Sequence, residues 1–214
     1  MTKPGVHGEE LVNALTHGAG VVASLAGGGI LLTLAALSGD PRRVIGAGVF
    51  VFALVLLYSA STLYHAVRHE RTKAHLKVLD HCAIFVLIAG TYTPFTLFSL
   101  RGGWGWGLFA AIWLLAVAGI VFKLYFTGRF KRTSTLIYLA MGWLVVVAAV
   151  PLSESVTPAT LVWLVLGGVS YTAGTVFYLN QRLPYAHGIW HLFVLGGSAC
   201  HFAAVLTEVA LPLA

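Results

Sequence analysis

Two histidines stand four positions apart in His187-Gly-Ile-Trp-His191. On an α-helix that spacing puts both imidazoles on one face, close enough to share a metal ion. Ser61-Thr-Leu-Tyr-His65 repeats the spacing, and Asp80 heads a further apolar stretch. Three neutral imidazoles with an open fourth position make a catalytic zinc site. A nearby carboxylate can hold the water there or orient a ligand, and zinc lowers the pKa of that water to about 7. The candidate metal ligands are therefore His65, His187 and His191, with Asp80 and Ser61 as candidate catalytic groups. Blander readings stay open on the residues alone. Paired histidines in an apolar helix can simply hydrogen-bond their neighbours, and His17, His65 and His191 could ligate a haem axially. His81 and His201 read as polar contacts between helices, and His7, His69 and His75 as solvated side chains.

The elements that carry these residues follow from composition. Of 214 residues, 58% are hydrophobic and only 9% are Asp, Glu, Lys or Arg, against roughly 25% charged in soluble domains. Mean hydropathy is +0.88. A water-soluble enzyme, a disordered chain and a nucleic-acid binder are excluded. The uncharged stretches are 11–39, 44–67, 81–100, 102–122, 133–153, 155–181 and 183–207, the shortest having 20 residues. About 20 apolar residues cross a bilayer as a helix, whereas barrel strands would show about 10-residue alternating segments. The fold class is all-α, a polytopic seven-transmembrane helix bundle, with spans near 17–37, 44–66, 79–99, 104–123, 133–152, 158–180 and 186–208. Residues 1–10 form an N-terminal tail, and 11–214 a single transmembrane domain. Pro94 is placed to kink or end the third helix. Gly27-Gly28-Gly29, Gly167-Gly168 and Gly196-Gly197 fall inside helices, where they permit close helix contact. Cys82 and Cys200 lie in apolar runs, which suits neither a disulfide framework nor a cysteine zinc site.

Orientation follows from basic residues. Lys3, Arg68, Arg71, Lys73, Lys77, Lys123, Arg129, Lys131, Arg132 and Arg182 share one side, and Arg42, Arg43 and Arg101 the other. Ten against three places the N-terminus in the cytoplasm and the C-terminus outside, in the cell's inner (plasma) membrane. His65 and Asp80 lie near the cytoplasmic boundary, and His17 starts the first helix on that side. His187 and His191, counted as continuous helix from Arg182, lie roughly 8–14 Å inward of it. A metal site toward the cytoplasmic leaflet results. His201 lies roughly 15 Å deeper than His191 and cannot join it.

The combination of Glu9-Glu10-Leu-Val-Asn13-Ala-Leu-Thr16-His17-Gly18, Ser61-x-x-x-His65, Asp80 and His187-x-x-x-His191 resembles the hemolysin III proteins, the bacterial branch of the progestin and adipoQ receptor family that includes the adiponectin receptors. The resemblance runs from about Glu9 to Phe202. It implies that His65, His187 and His191 hold Zn2+, that Asp80 reaches it through water, and that Ser61 stands beside it. It also implies a ceramidase-like hydrolase of lipid amides or esters, with membrane lipids as partners and a role in membrane lipid homeostasis. A non-enzymatic sensor or receptor-like protein with a structural zinc is the alternative. Pore formation fits least, since no segment is amphipathic enough to enter a bilayer from solution. With the N-terminus inside, an N-terminal tag should bind antibody only after cells are permeabilised; labelling on intact cells overturns the orientation.

Overall fold

Where the chain leaves apolar sequence, its polar residues set the helix ends. Asp40 caps the second helix: its carboxylate accepts from the Arg42 amide at 2.9 Å, and Pro41 occupies the first turn. The Arg42 guanidinium also pairs with Asp40, which holds that half-buried carboxyl below its ordinary pKa. Thr157 caps a later helix through the Thr160 amide, again followed by proline. Both are the pattern of an oxygen cap with Pro at the first helical position.

The computed structural model describes residues 4–100, 102–180 and 182–210. Its helices are α1 (Pro4–Leu37), α2 (Pro41–Ala66), α3 (Glu70–Pro94), α4 (Gly102–Phe126), α5 (Lys131–Gly142), α6 (Ala149–Ser153), α7 (Pro158–Leu179) and α8 (Ala186–Ala210). A π-helical turn, Phe95–Ser99, follows α3, and a 3-10 turn, Leu144–Ala148, joins α5 to α6. Among the described residues seven helical stretches are long and apolar enough to span a membrane, α5 to α6 counting as one. Residues 1–3, Arg101, Gln181 and residues 211–214 lie outside the described residues, so part of the expected tail does as well, and with it Lys3 and Arg101 of the orientation count.

The helices pack in the order α7, α8, α1, α2, α3, α4, with α5 resting lightly on α3, α4 and α7. The third span is the most enclosed of the seven. Large apolar side chains such as Phe52, Leu114 and Val147 point outward, as lipid requires. The in-helix glycines do sit at close contacts. Gly27 faces the Phe202 ring, Gly28 Val51, Gly167 His201, Gly168 Trp143, Gly196 Ser170 and Gly197 Tyr171, while Gly29 faces open space.

Two irregularities shape the interior. After Pro94 the helix widens into the π-helical turn, and the Thr93 hydroxyl accepts from Trp113 Nε1 at 3.1 Å. The fifth span breaks at Gly142-Trp143, where the Tyr92 hydroxyl donates toward the Met141 and Gly142 carbonyls (2.9 and 2.8 Å) and accepts from the Val145 amide at 2.9 Å. Irregular backbone at membrane depth is tolerated when protein satisfies it in this way.

At the end of the bundle away from the histidine pair, Glu208 of α8 is buried. Its carboxylate accepts from Thr160 Oγ1 at 2.6 Å, the Thr157 amide at 3.3 Å and Ser99 Oγ at 3.4 Å. The Arg43 guanidinium donates to its main-chain carbonyl. One side chain thus ties α8 to α7 and to the turn after α3. Glu208→Ala strands those donors, and a buried unpaired group costs about 1–3 kcal/mol. A lower melting temperature in detergent is expected, with a smaller loss in Glu208→Gln; an unchanged melting temperature in Glu208→Ala would contradict the clamp.

Candidate metal centre

The site is assembled from two one-turn repeats. On α2, Ser61 and His65 lie one turn apart and are both buried. On α8, His187 and His191 lie one turn apart in its first two turns. The depth expected for them needs correction. Arg182 to Tyr185 form a turn rather than helix, so counting helical rise from Arg182 overstates how far inward the pair lies. Ring centroids are 5.1 Å apart for His65 and His187, 5.2 Å for His65 and His191, and 4.7 Å for His187 and His191. One nitrogen from each ring lies within 4.8 Å of the others, a group able to hold a metal ion.

The first helix reaches this group because it begins at Pro4, well before 17. His17 therefore lies well inside α1 rather than at its start. Glu10, Asn13 and Thr16, spaced three apart, fall on the face toward α2 and α8. Glu10 Oε2 accepts from His65 Nδ1 at 2.6 Å, and its other oxygen accepts from Lys73 Nζ at 2.9 Å. His191 Nδ1 approaches the Asn13 carbonyl at 3.2 Å and Thr16 Oγ1 at 3.1 Å. The Thr16 hydroxyl itself donates to the Val12 carbonyl at 2.9 Å, so it accepts from the imidazole. Gly188 lets the helices approach, since a Cβ there would lie 3.0 Å from Val12.

These bonds fix the tautomers. A neutral imidazole that donates from Nδ1 keeps the lone pair on Nε2, and second-shell acceptors of this kind orient metal-binding histidines. His65 Nε2 is buried without a protein partner, which is costly unless something else coordinates it. The donor set therefore fits a borderline cation such as zinc, although imidazole also suits iron, copper and nickel.

His17 lies flat on His191, with centroids 3.5 Å apart and an interplanar angle of 11°. That stack leaves no gap for a macrocycle between the two rings, so a haem held by this pair does not fit. His201 approaches the Leu164 carbonyl at 3.3 Å, away from the cluster. His81 Nδ1 bonds the Lys77 carbonyl within its own helix at 2.7 Å, rather than another helix, while its carbonyl accepts from Tyr138. Cys82 and Cys200 are free.

Ser61, Asp80, His187 and His191 line one side of a cavity of about 530 Å³, a volume in the range of small-molecule sites. Its walls continue through Ile88, Tyr92, Val145, Leu161 and Leu164 and are mostly apolar. Sequence reasoning missed the roles of Glu10, Asn13 and Thr16. The signal available was their three-residue spacing on an otherwise apolar helix.

The sequence profile of the haemolysin-III-related family matches residues 7–202. Hemolysin-3 of Bacillus cereus is 48% identical over 201 residues, covering 94% of this chain and 92% of that one. The hemolysin-3 homolog of Bacillus subtilis (strain 168) is 47% identical over 198 residues, covering 92% and 93%. The human monocyte to macrophage differentiation factor is 29% identical over 205 residues, covering 92% and 83%. The chain belongs to the haemolysin-III-related family of multi-pass membrane proteins, as its motifs led one to expect.

Metal analysis of the purified protein should find about one ion per chain. Glu10→Ala should weaken its affinity by about 10- to 100-fold, the usual effect of losing such a partner, and His17→Ala should leave the stoichiometry unchanged. Wild-type affinity in Glu10→Ala would remove the orienting role.

Proposed function

We propose that this protein is a zinc-dependent intramembrane hydrolase of lipid amide or ester bonds, working from the cytoplasmic leaflet of the plasma membrane. The observation that carries the reading is the junction of His65, His187 and His191 with a largely apolar cavity whose wall holds Asp80 and Ser61. A purely structural ion tying helices together needs no such cavity.

Bound by the three histidines, zinc would supply a Lewis acid and a water that ionises near neutral pH. The residues do the rest. The apolar wall holds the acyl chain and keeps bulk water from the carbonyl. Asp80 takes the proton of the attacking water and passes it to the departing amine or alkoxide, as a positioned general base and then acid. Ser61, at 1% exposure, offers one hydroxyl that orients the attacking water or Asp80. Glu10 and Thr16 keep two imidazoles presenting Nε2 throughout. Membrane lipids, ceramide-like or otherwise acylated, are the substrates this arrangement suits.

The alternative, a sensor or receptor-like protein with a structural ion, draws on one observation: ligands from α2 and α8, braced by α1, pin three helices. Catalysis separates the readings. Zinc-loaded protein should hydrolyse members of a panel of lipid amides and esters. His191→Ala should abolish turnover, and Asp80→Asn should lower it by about 10²- to 10⁴-fold while retaining metal. A zinc-loaded protein inert on the whole panel would sink the hydrolase and favour the sensor.

A further inference from the structure

Beside the histidine cluster the same cavity gathers positive charge. Lys77 of α3, Lys123 of α4, Arg129 of the following loop and Lys131 of α5 all line it. Basic residues commonly mark the cytoplasmic ends of spans, but that accounts for side chains turned toward water. Lys123 is turned inward. It is 2% exposed, and its Nζ donates to Ser134 Oγ at 2.6 Å and lies 5.9 Å from the Tyr138 ring centroid. Lys131 donates to the Tyr178 carbonyl at 2.6 Å and stands 4.1 Å from that ring's centroid.

The two tyrosines place both lysines next to the chemistry. The Tyr178 ring lies 6.0 Å from the ring of His187. The Tyr138 hydroxyl donates to the main-chain carbonyl of His81, the neighbour of Asp80. Among the described residues, none of the four cations has a carboxylate within 4.0 Å. Asp80 is the one acidic side chain on the cavity wall, so positive charge exceeds negative there by three. An ammonium buried inside the bundle without a counterion is expensive, and such groups mark ligand sites. The surrounding cavity is otherwise largely apolar, which suits a long hydrocarbon chain.

We infer that, among the lipids proposed above, the cavity prefers acyl lipids with an anionic head group, a phosphate or carboxylate held by Lys123 and Lys131 beside the metal centre, over neutral ones such as the ceramide-like lipids. The inference rests on the proposed hydrolase for what becomes of the lipid, but recognition can be read without turnover. Lys123 supplies a donor inside the wall, and Lys131 a second from the neighbouring helix. Arg129 and Lys77 add long-range attraction at the mouth. The apolar lining then decides between a lipid and a free anion, since a small anion gains nothing from it.

The test is equilibrium binding to the purified full-length protein in non-ionic detergent, with hexadecyl phosphate and hexadecanol as a matched pair. Hexadecyl phosphate should bind about 100-fold more tightly, about tenfold for each of two charge-assisted hydrogen bonds. Lys123→Gln and Lys131→Gln should each erase about tenfold of that preference, Lys123→Arg should keep most of it, and Arg132→Gln, on the exposed surface outside the cavity, should keep all of it. Should Lys123→Gln fail to fold, Lys131→Gln decides. Equal affinity for the two probes, or full preference in both Gln variants, overturns the inference. Inorganic phosphate should not compete; competition would mean that a free anion, not a lipid, is the ligand. The preference should persist in His191→Ala. A protein that hydrolyses nothing yet prefers the phosphate refutes only the hydrolase, and one that turns over neutral lipids without preference refutes only this inference.

Discussion

Hydrocarbon offers no hydrogen-bond partner, so every polar group inside this bundle must find one in the protein itself. The rule is met with few exceptions. The hydroxyls of Tyr58 and Tyr171 each lie 2.7 Å from Ser198 Oγ. Thr91 and Thr93 bond back to carbonyls in their own helix. Glu208 collects three donors at the far end. Against that background, the buried side-chain atoms without partners among the described residues belong to His17, His65 and His201. The exception at His65 Nε2 is informative because the other nitrogen of the same ring is firmly held by Glu10. A ring fixed on one side and unpartnered on the other is set up to coordinate. Lys123 is an exception of another kind, since its hydrogen bond to Ser134 occupies one of its three N–H donors and leaves its charge without a carboxylate among the described residues.

Much of the architecture was legible because the membrane penalises charge so heavily. Twenty charged residues divide the chain into stretches of spanning length, and seven helices follow. The i,i+4 pairs on α2 and α8 were legible for a related reason: helical periodicity needs no knowledge of tertiary contacts. What sequence could not show is how those two faces meet, or what stands behind them. Glu10 reads as a tail residue by charge, because a carboxylate next to an apolar run marks a boundary. In the fold it is helical and half-buried, and its partners are 55 and 63 residues away. Such pairing over long sequence separation leaves no local trace. The turn before α8 was hidden similarly. Nothing in Arg182-Leu-Pro-Tyr185 fixes where helix resumes, although Pro184 hints at it, and a shift of one turn changes the depth of both histidines.

The break in the fifth span was likewise unreadable, and it bears on the cavity. Residues 133–152 are apolar enough to suggest one continuous helix. Instead Gly142 and Trp143 end α5, and a 3-10 turn leads into α6. Helical propensity did not decide this, because Leu144 to Val147 would propagate a helix as well as a 3-10 turn. Tertiary context decided it. Tyr92 reaches from α3 to satisfy the freed amide and carbonyls, and Trp143 Nε1 donates to Thr172 Oγ1 of α7 at 3.0 Å.

A continuous α5 packed along α3 and α7 would bring its side chains against the space that Tyr92, Gly142, Trp143 and Val145 now border. The break borders that space while Tyr92 pairs the Met141 and Gly142 carbonyls and the Val145 amide beside it. Two demands that usually conflict in lipid are thereby reconciled: a cavity needs irregular walls, and irregular backbone needs partners. The partners come from side chains on α3, the most enclosed span, which can be placed accurately because the bundle surrounds them. The same helix carries Asp80 and Lys77 at its other end. A single rigid element thus spaces the apolar far wall from the polar near wall, and the length of the cavity between them follows the stretch of α3 from Asp80 to Tyr92, about 18 Å at helical rise.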